Sequence, residues 1–111
     1  MFNIENHEPK WAAIVAGSSG VNELVAAVTG KSIYPIYICL VAAGAVNIAF
    51  LSHGGAYHFA SNADKAPLAA AGSGLAMGCP KGLWKGTQGE ALEINLSGAV
   101  KVTGCIVYVE A

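Results

Sequence analysis

The amino-acid sequence predicts an all-β protein, an antiparallel β-sandwich formed by one domain. Many short runs alternate large apolar residues with small or polar ones, which is the period of a half-buried strand. Turn residues, mainly glycine and serine, separate these runs at short intervals. No segment has a strong amphipathic helical pattern. Seven or eight short strands with frequent turns are typical of a sandwich, and 111 residues are enough for one core.

The chain begins with a segment that differs from the rest in composition. Residues 1–10 are mostly polar or acidic, and Phe2 and Ile4 are their large apolar groups after Met1. We therefore predict an extended N-terminal arm over residues 1–10, which lies along a neighbouring subunit and becomes ordered on assembly. The sandwich domain is predicted over residues 11–111.

Strands of the first two thirds of the domain are predicted from the alternation and from the turns between the runs. In chain order they cover residues 11–16, 23–28, 36–41, 45–51, 56–60 and 68–74. Pro35 has no N–H for sheet pairing, so we place it at a strand start, an edge or a bulge. Residues 61–67 form a polar loop, and residues 75–78 continue the weak strand that precedes them.

The C-terminal part has the clearest pattern. In residues 91–96, leucine and isoleucine alternate with small or polar residues, which predicts a strand with one buried and one solvated face. A β-branched run follows at residues 100–109, after a Ser-Gly turn. We predict that these two strands pair as a hairpin, and that the glycine-rich residues 80–90 form the long loop leading into it.

These residues also resemble a known group of proteins. The runs PKGLWKGT at 80–87, EALEINLSGAV at 90–100 and VTGCIVY at 102–108 resemble the C-terminal half of small virion proteins of tailed bacteriophages. Those proteins are jelly-roll capsid decoration (cement) proteins and the capsid-bound parts of head fibres. The run NELVAAVTGKSI at 22–33 is similar to their second and third strands.

The resemblance implies a fold, a function and a location. The fold is a jelly roll of about eight short strands. The function is that of a structural virion protein, which assembles as a homotrimer on the major capsid protein and stabilises the shell. The protein would fold in the host cytoplasm and reside on the capsid surface of the virion.

Charged residues are sparse, at 12% of the chain against about 25% in a typical globular protein. This scarcity predicts that a symmetric oligomer or a larger assembly buries part of the surface. The net charge is −1 and the sequence contains no arginine. Nucleic-acid binding needs a basic patch that neutralises phosphates, so we do not expect it.

Residues 33–52 are uncharged and are about as long as a membrane-spanning helix. Pro35, Gly44 and Asn47 interrupt the stretch, and no cluster of basic residues flanks it. Period-2 alternation on both sides of Gly44 favours two strands, and we predict no membrane partner.

The three cysteines, Cys39, Cys79 and Cys105, match neither the spacing of a zinc site nor that of a disulfide framework. Cys39 and Cys105 lie in strand-like runs, where we expect them to be small buried apolar residues. Three free thiols indicate folding in a reducing cytosol.

No residue pattern predicts catalysis, a metal site or a cofactor. His53 and His58 are five apart, so on one strand they would point to opposite faces. Glu90 and Glu93 are expected to be solvated carboxylates. The glycine-rich runs lack the lysine that follows the glycines of a phosphate-binding loop. We therefore expect a protein that is not an enzyme.

Four aromatic or aliphatic side chains are candidates for contact with a partner. Two of them, Phe2 and Ile4, belong to the arm. The other two are Trp11 and Trp84, which are candidates because tryptophan is enriched at interface hot spots. The alternative for both tryptophans is burial in the core.

A second class of function also fits this fold, namely a ligand- or carbohydrate-binding module of a phage fibre or tail. In such a module, exposed Trp84 and Tyr57 would stack on a sugar ring.

Overall fold

The computed structural model describes residues 7–111, so Phe2, Ile4 and most of the predicted arm lie outside the described residues. The described chain forms nine strands: β1 Lys10–Ala16, β2 Gly20–Val25, β3 Ile33–Ala42, β4 Val46–Ser52, β5 Tyr57–Phe59, β6 Ala66–Leu68, β7 Gly74–Gly78, β8 Leu92–Leu96 and β9 Val102–Glu110. The prediction of an all-β sandwich is confirmed. In the described part of the chain, no helix is long and apolar enough to cross a membrane.

The strands form two antiparallel sheets. Sheet A has the order β1-β9-β3-β7, and sheet B has the order β2-β8-β4-β5, with β6 also paired to β4. Four of the antiparallel pairs are nested in sequence, from β1 with β9, through β2 with β8 and β3 with β7, to β4 with β5. Successive nested pairs lie in alternate sheets. A ribbon of paired strands wrapped in this way is a jelly roll, so that prediction is also confirmed, with β6 as an additional strand.

The core lies between the two sheets. Sheet A contributes Ile14, Ile38 and Ile106, and sheet B contributes Ile48, Phe50 and Ile94, all fully buried. Leu92, Ile94 and Leu96 of β8 all point inward, as the alternation predicts. Each such side chain contributes about 1.5–3 kcal/mol when it leaves water, so this layer is the main source of stability.

The predicted C-terminal hairpin is wrong. β8 pairs with β2 and β4 in sheet B, whereas β9 pairs with β1 and β3 in sheet A. Residues 97–101 therefore cross from one sheet to the other. Alternation along two neighbouring strands is the same in a hairpin and in a crossing between stacked sheets, so the pattern alone does not distinguish them.

Other strand predictions need smaller corrections. The strand predicted at 68–74 is wrong, because β6 ends at Leu68 and residues 75–78 belong to a separate strand, β7. β2 begins and ends three residues before the predicted 23–28. Pro35 lies at a bulge in the pairing of β3 with β9, which confirms its predicted position. The uncharged stretch 33–52 forms β3 and β4, so the prediction of two strands is confirmed.

The long loop between β7 and β8 runs along the first part of β3. Cys79 N donates to Ile36 O at 2.8 Å, Leu83 N to Pro35 O at 2.7 Å and Gly86 N to Ile33 O at 2.9 Å. A Cβ at Gly86 would be 2.7 Å from Ile33 O, so this close approach requires glycine. These hydrogen bonds hold the loop, and with it Trp84, against the end of the sandwich.

Candidate interaction surface

Among the described residues, the outward side of sheet A carries no charged side chain in its central rows, and we call these rows the uncharged face. Pairing registers align its residues in three rows across the four strands. The rows are Trp11, Val107, Tyr37 and Gly78; then Ala13, Cys105, Cys39 and Ala76; then Val15, Thr103, Val41 and Gly74. None of these twelve residues is an aspartate, glutamate, lysine or histidine, and the middle row consists only of alanine and cysteine, whose side chains are short.

Exposed apolar side chains concentrate on the uncharged face. Among the described residues, five large apolar side chains are exposed, and four of them lie here: Trp11 at 66%, Val15 at 68%, Tyr37 at 43% and Val41 at 48%. Among the described residues of sheet A, charged side chains lie at its two ends, where Lys10 contacts Glu110 at one end and Lys101 precedes β9 at the other. An apolar patch bordered by polar groups is typical of a surface that binds another protein.

The outward side of sheet B is different, because the chain covers it with its own residues 53–62. Glu93 and Asn95 are predicted on the solvated side of β8, yet they are buried, at 5% and 7% exposure. His53 Nδ1 is 2.8 Å from Glu93 Oε2, and Asn95 Nδ2 donates to Tyr57 Oη at 2.9 Å. The prediction of a solvated Glu93 is therefore wrong.

Tyr57 shows how this cover is built. β4 lies between β5 and β8, so the Tyr57 side chain crosses β4 to reach Asn95. Ala49 and Leu51 of β4 are buried beneath it, although they point away from the core layer. Among the described residues, the β4 and β8 part of sheet B is thus covered by its own chain, whereas the outward side of sheet A is open.

His53 and His58 point to different sides of sheet B and do not form a joint site. The hydrogen bond to Glu93 and then its negative charge raise the pKa of His53. His58 is the extra residue of a bulge in β5, and burial lowers its pKa. Among the described residues, no group of three or more His, Cys, Asp or Glu side chains is arranged to hold a metal ion.

Ser52 and His58 form a serine–histidine pair, with Oγ and Nε2 2.8 Å apart. Such a pair is the starting point of nucleophilic catalysis when the hydroxyl reaches a substrate. Ser52 is 1% exposed, and its Oγ also accepts the Thr87 N–H at 3.0 Å. In this position the hydroxyl joins β4, β5 and the long loop, which is a structural contact.

Trp84 and Tyr57 are half-buried, so neither is exposed as a sugar-stacking residue would need to be. The Trp84 ring lies 5.6 Å from the Phe50 ring of the core, and stacks on His58 at 5.9 Å. Trp84 therefore packs against the core, as the alternative for it predicts. Trp11 is the one predicted contact residue of the described chain that lies on the uncharged face.

Cys39 and Cys105 are directly opposite each other, in the middle row of the uncharged face. Both are half-buried and point outward, so the prediction that they are buried core residues is wrong. Sequence analysis missed the pair because 65 residues separate the two cysteines in the chain. Only the pairing of β3 with β9 brings them together.

No protein-family model matches this chain, and a search of curated proteins finds no match either.

Proposed function

We propose that this protein is a structural virion protein of a tailed bacteriophage, a decoration protein that assembles as a homotrimer on the capsid and stabilises the shell. The uncharged face is the observation that supports this proposal most. The trimer and the capsid come from the resemblance of residues 22–33 and 80–108 to decoration proteins. The role is one of assembly and not of catalysis.

The occupant of the uncharged face is a neighbouring copy of the same chain. Because the face has no charge, a surface that binds it needs to be apolar and needs no opposite charge. This chain itself meets that requirement, because only 12% of its residues are charged. A threefold ring has heterologous contacts, so the uncharged face of one subunit meets a different surface of the next. Burying the exposed apolar side chains stabilises the contact by about 25 cal/mol per Å².

The size of the uncharged face fits part of such a contact. Four strands about 4.8 Å apart and three rows about 6.8 Å apart cover roughly 400 Å² of sheet. A standard interface buries about 800 Å² per partner, so the remaining area comes from other surfaces. The arm with Phe2 and Ile4 is the segment that we expect to supply it.

Decoration stabilises a capsid by mass action. A protein that binds only the closed shell must dissociate before the shell opens, so its binding free energy adds to the stability of the closed state. In this jelly roll, the chain covers sheet B with its own residues and leaves sheet A open. Sheet A is therefore the side suited to assembly.

The first test is the solution mass, measured by light scattering. We expect a homotrimer of about 34 kDa, three times the chain mass of 11.3 kDa. Val41→Lys places a charge on the uncharged face, and should give a monomer. Val21→Lys is the matched control. Val21 is as exposed as Val41, at 50% against 48%, but it lies on β2 of sheet B and therefore outside the uncharged face. A trimeric Val41→Lys variant would exclude this face from the interface, and a monomeric wild type would exclude self-association.

The second test concerns the capsid. The wild-type protein is mixed with expanded capsids assembled from the major capsid protein encoded in the same genome. We expect binding by sedimentation and a higher melting temperature of the shell. A wild-type trimer that neither binds nor stabilises such capsids would contradict the decoration role while leaving the oligomer intact.

A further inference from the structure

We propose that Cys39 and Cys105 form a reactive dithiol, which a small-molecule disulfide oxidises to an intrachain disulfide between β3 and β9. This inference concerns the chemistry of the pair in the free chain, and it does not rest on the proposed function.

The register of the two strands sets the distance between the cysteines. Directly opposite residues of an antiparallel pair have Cα atoms about 4.5 or 5.5 Å apart, and both values lie within the range of about 4.4–6.8 Å for disulfides. Their Cβ atoms are about 4.5–5.5 Å apart, against about 3.5–4.5 Å in a disulfide. Closing the bond therefore needs an approach of about 1 Å or less at Cβ.

The backbone beside the pair shows that the two strands are close at this point. A Cβ added at Gly104 would be 2.0 Å from Cys39 O. Gly104 precedes Cys105, so glycine permits a close approach of β9 to β3 next to the two thiols. Ala13 and Ala76 flank the cysteines in the same row, and these small side chains leave the sulfur atoms room to rotate toward each other.

Both cysteines are half-buried and point outward, so a small oxidant reaches them from solvent. Cys79 has a different position. It follows β7, and its N–H donates to Ile36 O, three residues along β3 from Cys39. At about 3.3 Å per residue this offset is roughly 10 Å, which is too far for a disulfide. Cys79 is therefore an internal single-thiol control.

The reaction balances with oxidised glutathione as the oxidant. The thiolate of one cysteine attacks a glutathione sulfur, which forms a mixed disulfide and releases one glutathione thiolate. The second cysteine thiolate then attacks the protein sulfur of the mixed disulfide, which closes the intrachain bond and releases the second glutathione. The protein loses two electrons and two protons, and one oxidised glutathione becomes two reduced glutathione molecules.

The experiment treats the reduced wild-type protein with oxidised glutathione and follows it by intact-mass spectrometry with iodoacetamide labelling. In Cys79→Ser we expect a product that is about 2 Da lighter than the reduced protein before labelling and takes up no iodoacetamide. In the wild type the same bond leaves Cys79 as the single remaining thiol, which either is alkylated or carries glutathione. Peptide mapping should link Cys39 to Cys105. Cys79→Ser should still form the bond, whereas Cys39→Ser and Cys105→Ser should keep glutathione as a stable adduct. The melting temperature should rise by roughly 10 °C, because the bond closes a long loop.

Assembly on the uncharged face would cover the two thiols, so the same reaction is run on Val41→Lys. Bond formation in Val41→Lys but not in the wild type supports both the dithiol and a covered face. Bond formation in both supports the dithiol alone. If neither protein forms the Cys39–Cys105 bond, or if both carry only glutathione adducts or bonds between copies, the proposal is wrong.

Discussion

Glu93 is a carboxylate buried on the outer side of sheet B, and its surroundings are strongly acidic. Glu23 is directly opposite Glu93 on β2, and like charges in this position repel each other. Glu90 accepts the Gly54 N–H at 2.8 Å and also contributes its charge to the surroundings of His53. Protonated His53 offsets part of this repulsion. The segment that covers sheet B is therefore held by charge as well as by packing.

This arrangement predicts a pH-dependent contribution of His53 to stability. The raised pKa means that the folded state favours the protonated ring. Its contribution is fully present below the unfolded pKa of about 6.5, and is lost as the pH rises through the raised folded pKa. In urea unfolding, the free-energy difference between wild type and His53→Asn should be larger at about pH 5.5 than at about pH 9.

His58→Asn is the comparison for this measurement, because burial lowers the pKa of His58. A lowered histidine pKa reverses the pH dependence of stability. The contribution of His58 is present above its unfolded pKa and is lost as the pH falls through its folded pKa. A difference between wild type and His53→Asn that does not change with pH would contradict the assignment.

At the scale of elements, the loop between β7 and β8 behaves as part of the sandwich. Its backbone bonds to β3, and its Trp84 packs on Phe50 of β4. Ser52 Oγ accepts the Thr87 N–H, which links the loop to β4 a second time. The loop is therefore held by backbone hydrogen bonds to β3 and by side-chain contacts to β4. It closes one end of the core, so its apolar side chains contribute to stability.

The two tryptophans should therefore respond differently to substitution. Trp84→Ala removes a ring that packs on the core, and should lower the free energy of unfolding by about 3 kcal/mol. Trp11→Ala removes a ring that is 66% exposed, and should change the monomer by about 0.5 kcal/mol or less. Urea unfolding of both variants on the monomeric Val41→Lys background measures the two effects. A loss of about 0.5 kcal/mol or less for Trp84→Ala would show that Trp84 is not a core residue.

At the scale of the whole molecule, the two sheets differ in what lies outside them. Residues 53–62 cover sheet B, whereas sheet A exposes Trp11, Val15, Tyr37 and Val41 without a charged neighbour in its rows. Packing one apolar face inside and leaving another outside is costly for an isolated chain in water. The asymmetry accounts for the proposed assembly through sheet A.

The absence of charge within the uncharged face predicts how its assembly responds to salt. Screening weakens ion pairs but not apolar contacts. Raising NaCl from about 0.05 M to about 0.5 M should leave the light-scattering mass of the trimer unchanged. The melting temperature of the monomeric Val41→Lys variant at both salt concentrations is the control for general effects on the fold. Dissociation at the higher salt concentration would indicate that ion pairs hold the oligomer.

By itself, the sequence determined the features that depend on local pattern. Alternation and turn residues were sufficient for the all-β class, for the inward side of β8 and for two strands in the membrane-length stretch 33–52, and the missing N–H of Pro35 limited that residue to a strand start, an edge or a bulge. Each of these follows from a few neighbouring residues, because side chains alternate across a strand and proline lacks an N–H.

Only the tertiary structure decided which strands and surfaces meet. β9 pairs with β1 and β3 instead of β8, and this pairing places Cys39 opposite Cys105 and Trp11 on the uncharged face. The cover that buries Glu93 and the packing of Trp84 on Phe50 also join segments that are distant in the chain. The physical reason is that the period of a strand defines its two sides, whereas contacts distant in sequence define its neighbours and what covers each side.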